Sequence, residues 1–371
     1  MTWVVPDEIE AALHAAATAR LPARVLKPAA LAAAVVDRSR RYTSERERLA
    51  TPGDADGDLA ARALFFTVAD VAKVGLPLVE LEAQRGLPDG ALAVVDVGAG
   101  AGAMSLGVVA WLAATGRQAR CAPPSSIATP ARSRSGATRC APPGPRSGSR
   151  SRRRWWWPTS GAPRCRPPTS SSPARCSTSC PRRRRLPSSS ALAAARHAAI
   201  VIEPALRETA RALHALRDAV LAGGRAAVVA PCTHDRPCPM LADPRDWCHE
   251  VRPARLPART RALAAATGLR DGDLKFAYLV LAPSPAPTTS STPGWRVVSE
   301  PLRPKGKLEL FMCGADGRRR LRLLDRHAGP GPTAVRALVR GDLVALAPAP
   351  DERGTIAADV EVSRVHRAWP G

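Results

Sequence analysis

Aromatic residues are scarce in this chain and make up only 4% of its 371 residues. No run of about 18 or more apolar residues occurs, so we predict no membrane-spanning helix. The amino-terminal segment also lacks the basic and then apolar stretches of a secretory signal peptide. The length allows two domains and a sizeable core. We therefore predict a cytoplasmic protein that does not act at a membrane, and the sequence leaves its oligomeric state open.

Acidic residues and lysine are absent from one long segment, residues 121–190, which contains 15 Arg. Without those arginines, the formal net charge of +23 falls to +8. The segment also holds five of the nine Cys and the unusual stretch "SRRRWWWPTS" at 151–160. A strongly basic chain normally indicates a nucleic-acid partner. Here most of the excess charge lies in one anomalous segment, which weakens that inference.

Two interpretations of residues 121–190 differ in what they imply. Composition alone is typical of a disordered Arg/Ser/Pro-rich insert that binds RNA. Alternatively, the segment is translated out of frame and is disordered for that reason. Tryptophan is encoded only by TGG, so "WWWP" derives from TGG TGG TGG CCN, which two bases later encodes Val-Val-Ala. We favour the second hypothesis; resequencing codons 110–200 would refute it if no compensating pair of indels is found.

Hydrophobic periodicity outside this segment predicts an α/β fold. Strand, helix and strand alternate on both sides of the anomalous segment, which favours a doubly wound sheet. Short strands and turns after residue 292 predict a small β-rich C-terminal unit. The expected domains are an N-terminal helical region at 1–88 with helices at 7–20, 27–50 and 59–86 (broken near Gly75 and Pro77), an α/β domain at 89–285 and the β-rich unit at 292–371.

A glycine-rich turn follows the predicted strand in "VVDVGAGAG". Asp96 ends the strand, and Gly98, Gly100 and Gly102 lie in the turn. Glycines let the backbone approach a ligand, and the next helix offers its N-terminal amides. The D-x-G-x-G-x-G spacing resembles motif I of the S-adenosylmethionine (SAM) methyltransferases, although any α/β protein can use such a turn. The expected ribose-binding acid, roughly 20 to 30 residues downstream, is missing before Glu203.

Four cysteines lie outside the anomalous segment, three of them in "APCTHDRPCPMLADPRDWCHEVRPAR" directly after a predicted strand. They are called here the cysteine quartet: Cys232, Cys238, Cys248 and Cys313. Their spacing is not that of a zinc finger or ribbon. Converging thiolates suit either Zn²⁺ or an iron–sulfur cluster. His234 and His249 are alternative ligands, and four unrelated cysteines remain an open alternative.

The cysteine region carries a specific family resemblance. "PCTHDRPCPM", "DWCHEVRPAR", "KFAYLVLAP" and "CGADGR" follow "RYTSERERL" and "DVGAGAG" in the order found in the methyltransferase-like assembly factors of the small ribosomal subunit. That family is known from mitochondria and has bacterial relatives, and the resemblance covers roughly 20–120 and 195–345. It implies a class I SAM-methyltransferase-like (Rossmann-like) sheet and a [4Fe–4S] cluster on the cysteine quartet. It also implies SAM binding at Asp96, Gly98, Gly100 and Gly102.

The resemblance implies an rRNA-binding factor for small-subunit assembly or translation, with small-subunit rRNA or the small subunit itself as partner. The alternative is an active SAM-dependent methyltransferase acting on RNA, for which the sequence shows no catalytic residue. A radical SAM enzyme is excluded, because its C-x₃-C-x₂-C motif is absent. The basic runs 252–263 and 318–329 are expected to contact phosphates, unless they form solvated faces.

Overall fold

The computed structural model describes residues 3–45, 48, 52–88, 92, 94–96, 99–117, 197–224, 226–269, 272–284 and 294–367. Residues 121–190, and the reading-frame hypothesis for them, lie outside these ranges. Helices dominate the described residues up to position 117, and two β-sheets follow. No helix in this described part of the chain is both long and apolar enough to cross a bilayer.

Helices occupy the predicted N-terminal regions, but the second ends at Thr43 instead of residue 50, and the short helix Ala23–Leu26 was not predicted. The helices are α1 (Asp7–Thr18), α2 (Ala23–Leu26), α3 (Pro28–Thr43), α4 (Ala55–Ala61), α5 (Val68–Asp70) and α6 (Gly75–Arg85). A π-helical stretch, Arg62–Thr67, joins α4 to α5, and a 3₁₀ stretch, Val71–Val74, joins α5 to α6. Pro77 lies in the first turn of α6, where a backbone N–H has no partner within the helix. The predicted break near Gly75 is thus a local tightening of a continuing helical run.

The first sheet is organised around one long strand. Its strands are β1 (Trp3–Val4), β2 (Ala199–Pro204), β3 (Ala226–Ala230), β4 (Glu250–Arg255) and β5 (Asp273–Pro283). β5 pairs antiparallel with β2 along one edge and with both β3 and β4 along the other. β1 extends the sheet beyond β4 in a parallel pairing. Three further helices are α7 (Ala103–Ala114), α8 (Arg207–Ala222) and α9 (Ala258–Thr267).

Helices cover both faces of this sheet. Phe276, Tyr278 and Val280 of β5 share one face and pack against the helical run that ends in α6. Leu279 and Leu281 point the other way and pack against α8. Because side chains alternate along a strand, a strand buried on both faces is apolar throughout. The "KFAYLVLAP" stretch has this composition, which places β5 at the centre of a three-layer arrangement.

The doubly wound, Rossmann-like sheet is not confirmed. β5 runs antiparallel to β2, β3 and β4, and the remaining pairing of that sheet, between β1 and β4, is parallel. The buried strand predicted before Asp96 is not formed over its described residues, and Val94 and Val95 are 55% and 68% exposed. An apolar stretch becomes a buried strand only when neighbouring strands satisfy its backbone. No strand within the described ranges pairs with it.

The second sheet is fully antiparallel, with the strand order β10-β9-β6-β7-β8. Its strands are β6 (Trp295–Val297), β7 (Lys307–Gly314), β8 (Gly317–Leu324), β9 (Leu343–Ala347) and β10 (Glu361–Val365). Leu310 and Met312 of β7 pack into a core with Val335 of the short helix α10 (Pro330–Arg336). Phe311 and Cys313 alternate with them and contact a different cluster, which contains Cys238 and Cys248.

Candidate metal centre

The cysteine quartet lines a single cavity between the two sheets. Cys232 follows the end of β3, and Cys248 precedes the start of β4. Residues 231–249 between these strands, called here the cysteine loop, also carry Cys238. Cys313 comes from β7 of the second sheet, where it pairs with Arg296 of β6. The pairing of strands therefore brings together four residues that stand far apart in the sequence.

Helix α8 fixes the backbone of the cysteine loop. Asp218 accepts the Cys238 N–H at 2.9 Å, and His214 Nε2 accepts the Cys248 N–H at 3.0 Å. Arg211 Nη1 donates to the carbonyl of Met240 at 2.7 Å. Residues 211, 214 and 218 recur at helical spacing, so they share one face of α8. Side chains of one helix thus hold two quartet cysteines in place through their amides.

Burial lowers the pKa of His214 to about 4. The imidazole is therefore neutral near pH 7, and one ring nitrogen is free to accept a hydrogen bond. That state agrees with its role as acceptor of the Cys248 N–H.

Burial also raises the pKa of every quartet thiol, and the charge of neighbouring cysteines adds to the effect on Cys238, Cys248 and Cys313. The pKa of Cys238 rises to about 11 and that of Cys313 to about 12. Burial is the main cause of the raised pKa of Cys248, and the other three cysteines add to the rise. Without a bound cation, such thiols stay protonated at neutral pH. A metal centre would bind them as thiolates and supply the compensating positive charge.

The cavity wall presents hydrogen-bond donors that lack acceptors. Arg217 and Arg296 are 1% and 4% exposed, and Tyr278 is 5% exposed. Nε of Arg217, Nε and Nη2 of Arg296 and the Tyr278 hydroxyl have no hydrogen-bond partner of good geometry among the described residues, although the Arg217 side chain faces the Cys232 thiol. Buried donors are normally satisfied. An anionic group rich in acceptors, such as thiolates with inorganic sulfide, would satisfy them, so these residues fit an iron–sulfur cluster.

The two histidines named as alternative ligands both line the cavity. His234 Nε2 lies 3.6 Å from Cys313 Sγ, and the His249 ring stacks on Trp247 with centroids 6.0 Å apart. In the described part of the chain, no three His, Cys, Asp or Glu side chains are grouped so that they could hold a single metal ion. All four cysteines of the quartet nevertheless line this cavity.

The glycine turn is only partly described. Gly98 lies outside the described residues, while Gly100 and Gly102 adopt positive φ values of 60° and 91°. Gly102 directly precedes α7, and Asp96 Oδ2 accepts a hydrogen bond of 2.6 Å from the Ser105 hydroxyl of that helix. The two described glycines thus have the backbone conformation that the motif requires. SAM binding at this turn stays a prediction.

Several arginines of the basic runs 252–263 and 318–329 form ion pairs within the protein, which the sequence did not predict. Arg252 is only 7% exposed and lies 3.5 Å from Glu250. Arg318 pairs with Asp246 at 2.6 Å, and Arg320 pairs with Glu309. Part of each run therefore serves internal ion pairs, so neither run as a whole is a free phosphate-binding surface.

Comparison with known protein families gives one match. Residues 182–345 match the family model Rsm22, described as "Mitochondrial small ribosomal subunit Rsm22". The family resemblance is confirmed. The matched range encloses the whole cysteine quartet, while Asp96 and the glycine turn lie outside it. No curated protein matches the chain.

The Rsm22 match corrects the predicted localisation. The family is described as mitochondrial, so the cytoplasmic prediction is wrong. That prediction rested on the lack of a secretory signal and of a membrane-spanning run. Neither feature distinguishes the cytoplasm from the interior of an organelle, because a protein of either compartment can lack both.

Proposed function

We propose that this protein is an assembly or translation factor of the small ribosomal subunit that binds rRNA and holds a [4Fe–4S] cluster on its cysteine quartet. One observation carries the proposal: the range that matches the Rsm22 family encloses four cysteines, and all four line one cavity. Four unrelated cysteines would have no reason to meet there from a loop and a separate sheet.

The cavity suits a cluster better than a zinc ion. One zinc ion needs its four sulfurs about 3.8 Å apart, because each Zn–S bond is about 2.3 Å long. A cluster binds each thiolate through a different iron, so its sulfurs stand further apart. The quartet lines one shared cavity, and sulfide atoms of a cluster would in addition accept hydrogen bonds from the unpartnered donors of the cavity wall. Zinc remains the alternative that metal analysis distinguishes.

The role of the cluster is structural. Three ligands come from the cysteine loop and the fourth from β7, so a bound cluster would link the first sheet to the second. Direct contacts across this junction include a small apolar cluster, in which Phe311 packs near Met240, and the Arg318–Asp246 ion pair at 2.6 Å. When bound, the cluster supplies four iron–thiolate bonds in place of buried, protonated thiols. The rRNA-binding surface is expected to depend on this linkage.

A basic patch at one end of β7 and β8 is the best-placed phosphate contact. We define the hairpin patch as Arg303, Lys305 and Arg326, which are all exposed. The turns that carry them touch, because the Asp325 N–H donates to the Gly306 carbonyl at 3.0 Å. None of the three cations forms an ion pair with another described residue. Unpaired, exposed cations held close together suit an RNA backbone.

Replacing the hairpin patch by glutamine is expected to weaken binding to small-subunit rRNA without unfolding the protein. Each lost phosphate contact should reduce the slope of log K against log salt concentration by roughly 0.7–0.9. Filter binding at several salt concentrations measures this slope, and co-sedimentation with small subunits tests the partner. Glutamine at Arg24, Arg40 and Arg48 is the matched control, because these exposed arginines already have acidic partners.

The two outcomes separate the partner from the surface. Wild-type protein that fails to sediment with small subunits would contradict the proposed function. If the wild type sediments with small subunits and the patch variant keeps the full salt slope, the proposed partner is supported. The hairpin patch is then not the surface that binds rRNA. A loss of slope in the control variant would mean that charge anywhere on the surface suffices.

A SAM-dependent methyltransferase acting on RNA is the second candidate. Gly100 and Gly102 favour it, because their positive φ values shape a turn that leads directly into α7. Equilibrium dialysis with labelled SAM tests this function independently of the cluster. No retention of SAM at millimolar concentration would reject it, and retention that is lost on replacing Gly102 by Val would support it.

A further inference from the structure

The edge of β5 has a gap where the cysteine loop leaves the first sheet. Ala230 of β3 pairs with Val280, and Glu250 of β4 pairs with Phe276. Tyr278 lies between these two positions, and no strand covers it along this edge. Its side chain is 5% exposed and lines the cavity of the cysteine quartet. The tyrosine is therefore placed at the base of the site by the register of three strands.

Two arginines of the cavity wall are fixed by their terminal nitrogens. Arg217 donates through Nη1 to the Arg236 carbonyl at 2.7 Å and through Nη2 to the His234 carbonyl. Arg296 donates through Nη1 to the Gly341 carbonyl at 2.9 Å. Its Nη2 lies 2.8 Å from Glu80 Oε1. The Nε–H of each guanidinium has no hydrogen-bond partner among the described residues, and Nη2 of Arg296 makes only an ion pair with Glu80. The Arg217 side chain also faces the thiol of Cys232.

Three residues around one cavity thus carry buried donors without hydrogen-bond acceptors: Arg217 at Nε, Arg296 at Nε and Nη2, and Tyr278 at its hydroxyl. No described residue supplies the acceptor that would satisfy them, and Nδ1 of His234 and of His249, which line the same cavity, also has no partner there. A buried donor without an acceptor is unfavourable, and three residues with such donors around one cavity indicate that an acceptor-rich group occupies it. Thiolate and sulfide sulfurs accept such hydrogen bonds.

We propose that Tyr278, Arg217 and Arg296 donate hydrogen bonds to the sulfur atoms of the centre held by the cysteine quartet, and so set its reduction potential. The inference rests on the proposed cluster and adds residues that the ligand set does not include. Hydrogen bonds to sulfur stabilise the more negative, reduced state, and they raise the potential. The three residues are positioning residues, because they act on the centre through its sulfurs.

Tyr278→Phe is the test with the least structural disturbance, because it removes one oxygen atom. We expect the anaerobically purified variant to retain its iron and to show a more negative midpoint potential in a dithionite titration with redox mediators. Tyr42→Phe is the matched control, since the chain has only two tyrosines and Tyr42 lies on α3, away from the cavity. The control should keep the wild-type potential.

The outcomes distinguish this inference from the proposed function. Wild-type protein without iron and sulfide contradicts both. A full cluster in Tyr278→Phe with an unchanged potential overturns only the hydrogen-bond inference.

If the Tyr278→Phe variant loses iron, the stabilities of the metal-free wild type and the metal-free variant are compared by denaturation. This comparison shows whether Tyr278 donates to the centre or only stabilises the fold. Unchanged or higher stability of metal-free Tyr278→Phe supports donation to the centre, since an unsatisfied hydroxyl has been removed. Lower stability assigns Tyr278 a purely structural role. Arg217→Lys, which keeps the charge but moves the donor, should shift the potential in the same direction.

Discussion

Cys238→Ser protein is expected to lose its bound iron and to unfold at a markedly lower denaturant concentration than the wild type. Cys238 is only 9% exposed, and its amide is already fixed by Asp218 at 2.9 Å. Serine keeps the shape of the side chain but is a poor ligand for iron. Removing a residue that only supports a metal ligand can lower metal affinity by roughly ten-fold. We therefore expect loss of a ligand itself to lower iron affinity by at least roughly that factor. Iron analysis and urea denaturation under anaerobic conditions measure both effects.

Cys165→Ser is the matched control for this substitution. Cys165 belongs to the anomalous segment 121–190 and not to the quartet. The control should retain wild-type iron content and stability. If Cys238→Ser also retains both, the quartet holds no centre on which folding depends, and the structural role proposed for the cluster is wrong.

Glu80→Ala is expected to destabilise the protein by roughly 3–5 kcal/mol, the cost of leaving a buried charge without its partner. Glu80 of α6 is completely buried and lies 2.8 Å from Arg296 Nη2. Arg296 is itself 4% exposed, so water cannot replace the lost carboxylate. The pair joins the N-terminal helices to the second sheet. Urea denaturation gives the free energy of unfolding.

Glu300→Ala is the comparison that isolates burial. Glu300 also pairs with an arginine, Arg340, at 3.0 Å, but its side chain is 60% exposed. Exposed pairs of this kind contribute about 0–1 kcal/mol. Equal losses in the two variants would show that the Glu80–Arg296 pair does not stabilise the junction in the way we describe.

The N-terminal helices could be predicted from the sequence because they depend on local signals, and the expectation that the four cysteines converge agrees with their shared cavity. Apolar spacing marks α1 and α3, which are observed at Asp7–Thr18 and Pro28–Thr43. The quartet was found because thiols are rare outside residues 121–190 and because two of them stand beside proline.

The first sheet could not be predicted, because its strands pair with partners that lie far away in the sequence. β1 at Trp3–Val4 pairs with β4 near residue 254, and no local pattern encodes that partner. β5 reads as a buried strand, yet nothing in its composition says that it runs antiparallel to β2 and β3. The doubly wound prediction assumed that strands separated by helices lie parallel, which is the usual result of such connections.

The donors of the cavity wall were missed for a similar reason. Arg217 belongs to an amphipathic helix and looks like an ordinary charged residue of its polar face. Arg296 lies at the cavity because it pairs with Cys313 across β6 and β7. Tyr278 lies there because neither β3 nor β4 pairs with it along that edge of β5. One signal was available in the sequence: Tyr278 is one of two tyrosines and lies in an otherwise apolar stretch. A lone hydroxyl in such a strand indicates a buried polar contact.

The central claim is that the cysteine quartet holds a [4Fe–4S] cluster. Mössbauer spectroscopy of protein produced with ⁵⁷Fe and purified without oxygen tests it most directly, together with acid-labile sulfide analysis of the same sample. We predict four iron atoms and four sulfides per chain, with the signal of a cluster ligated by thiolates. One zinc ion per chain with no sulfide, or a wild-type protein that is folded and free of metal, would contradict the account.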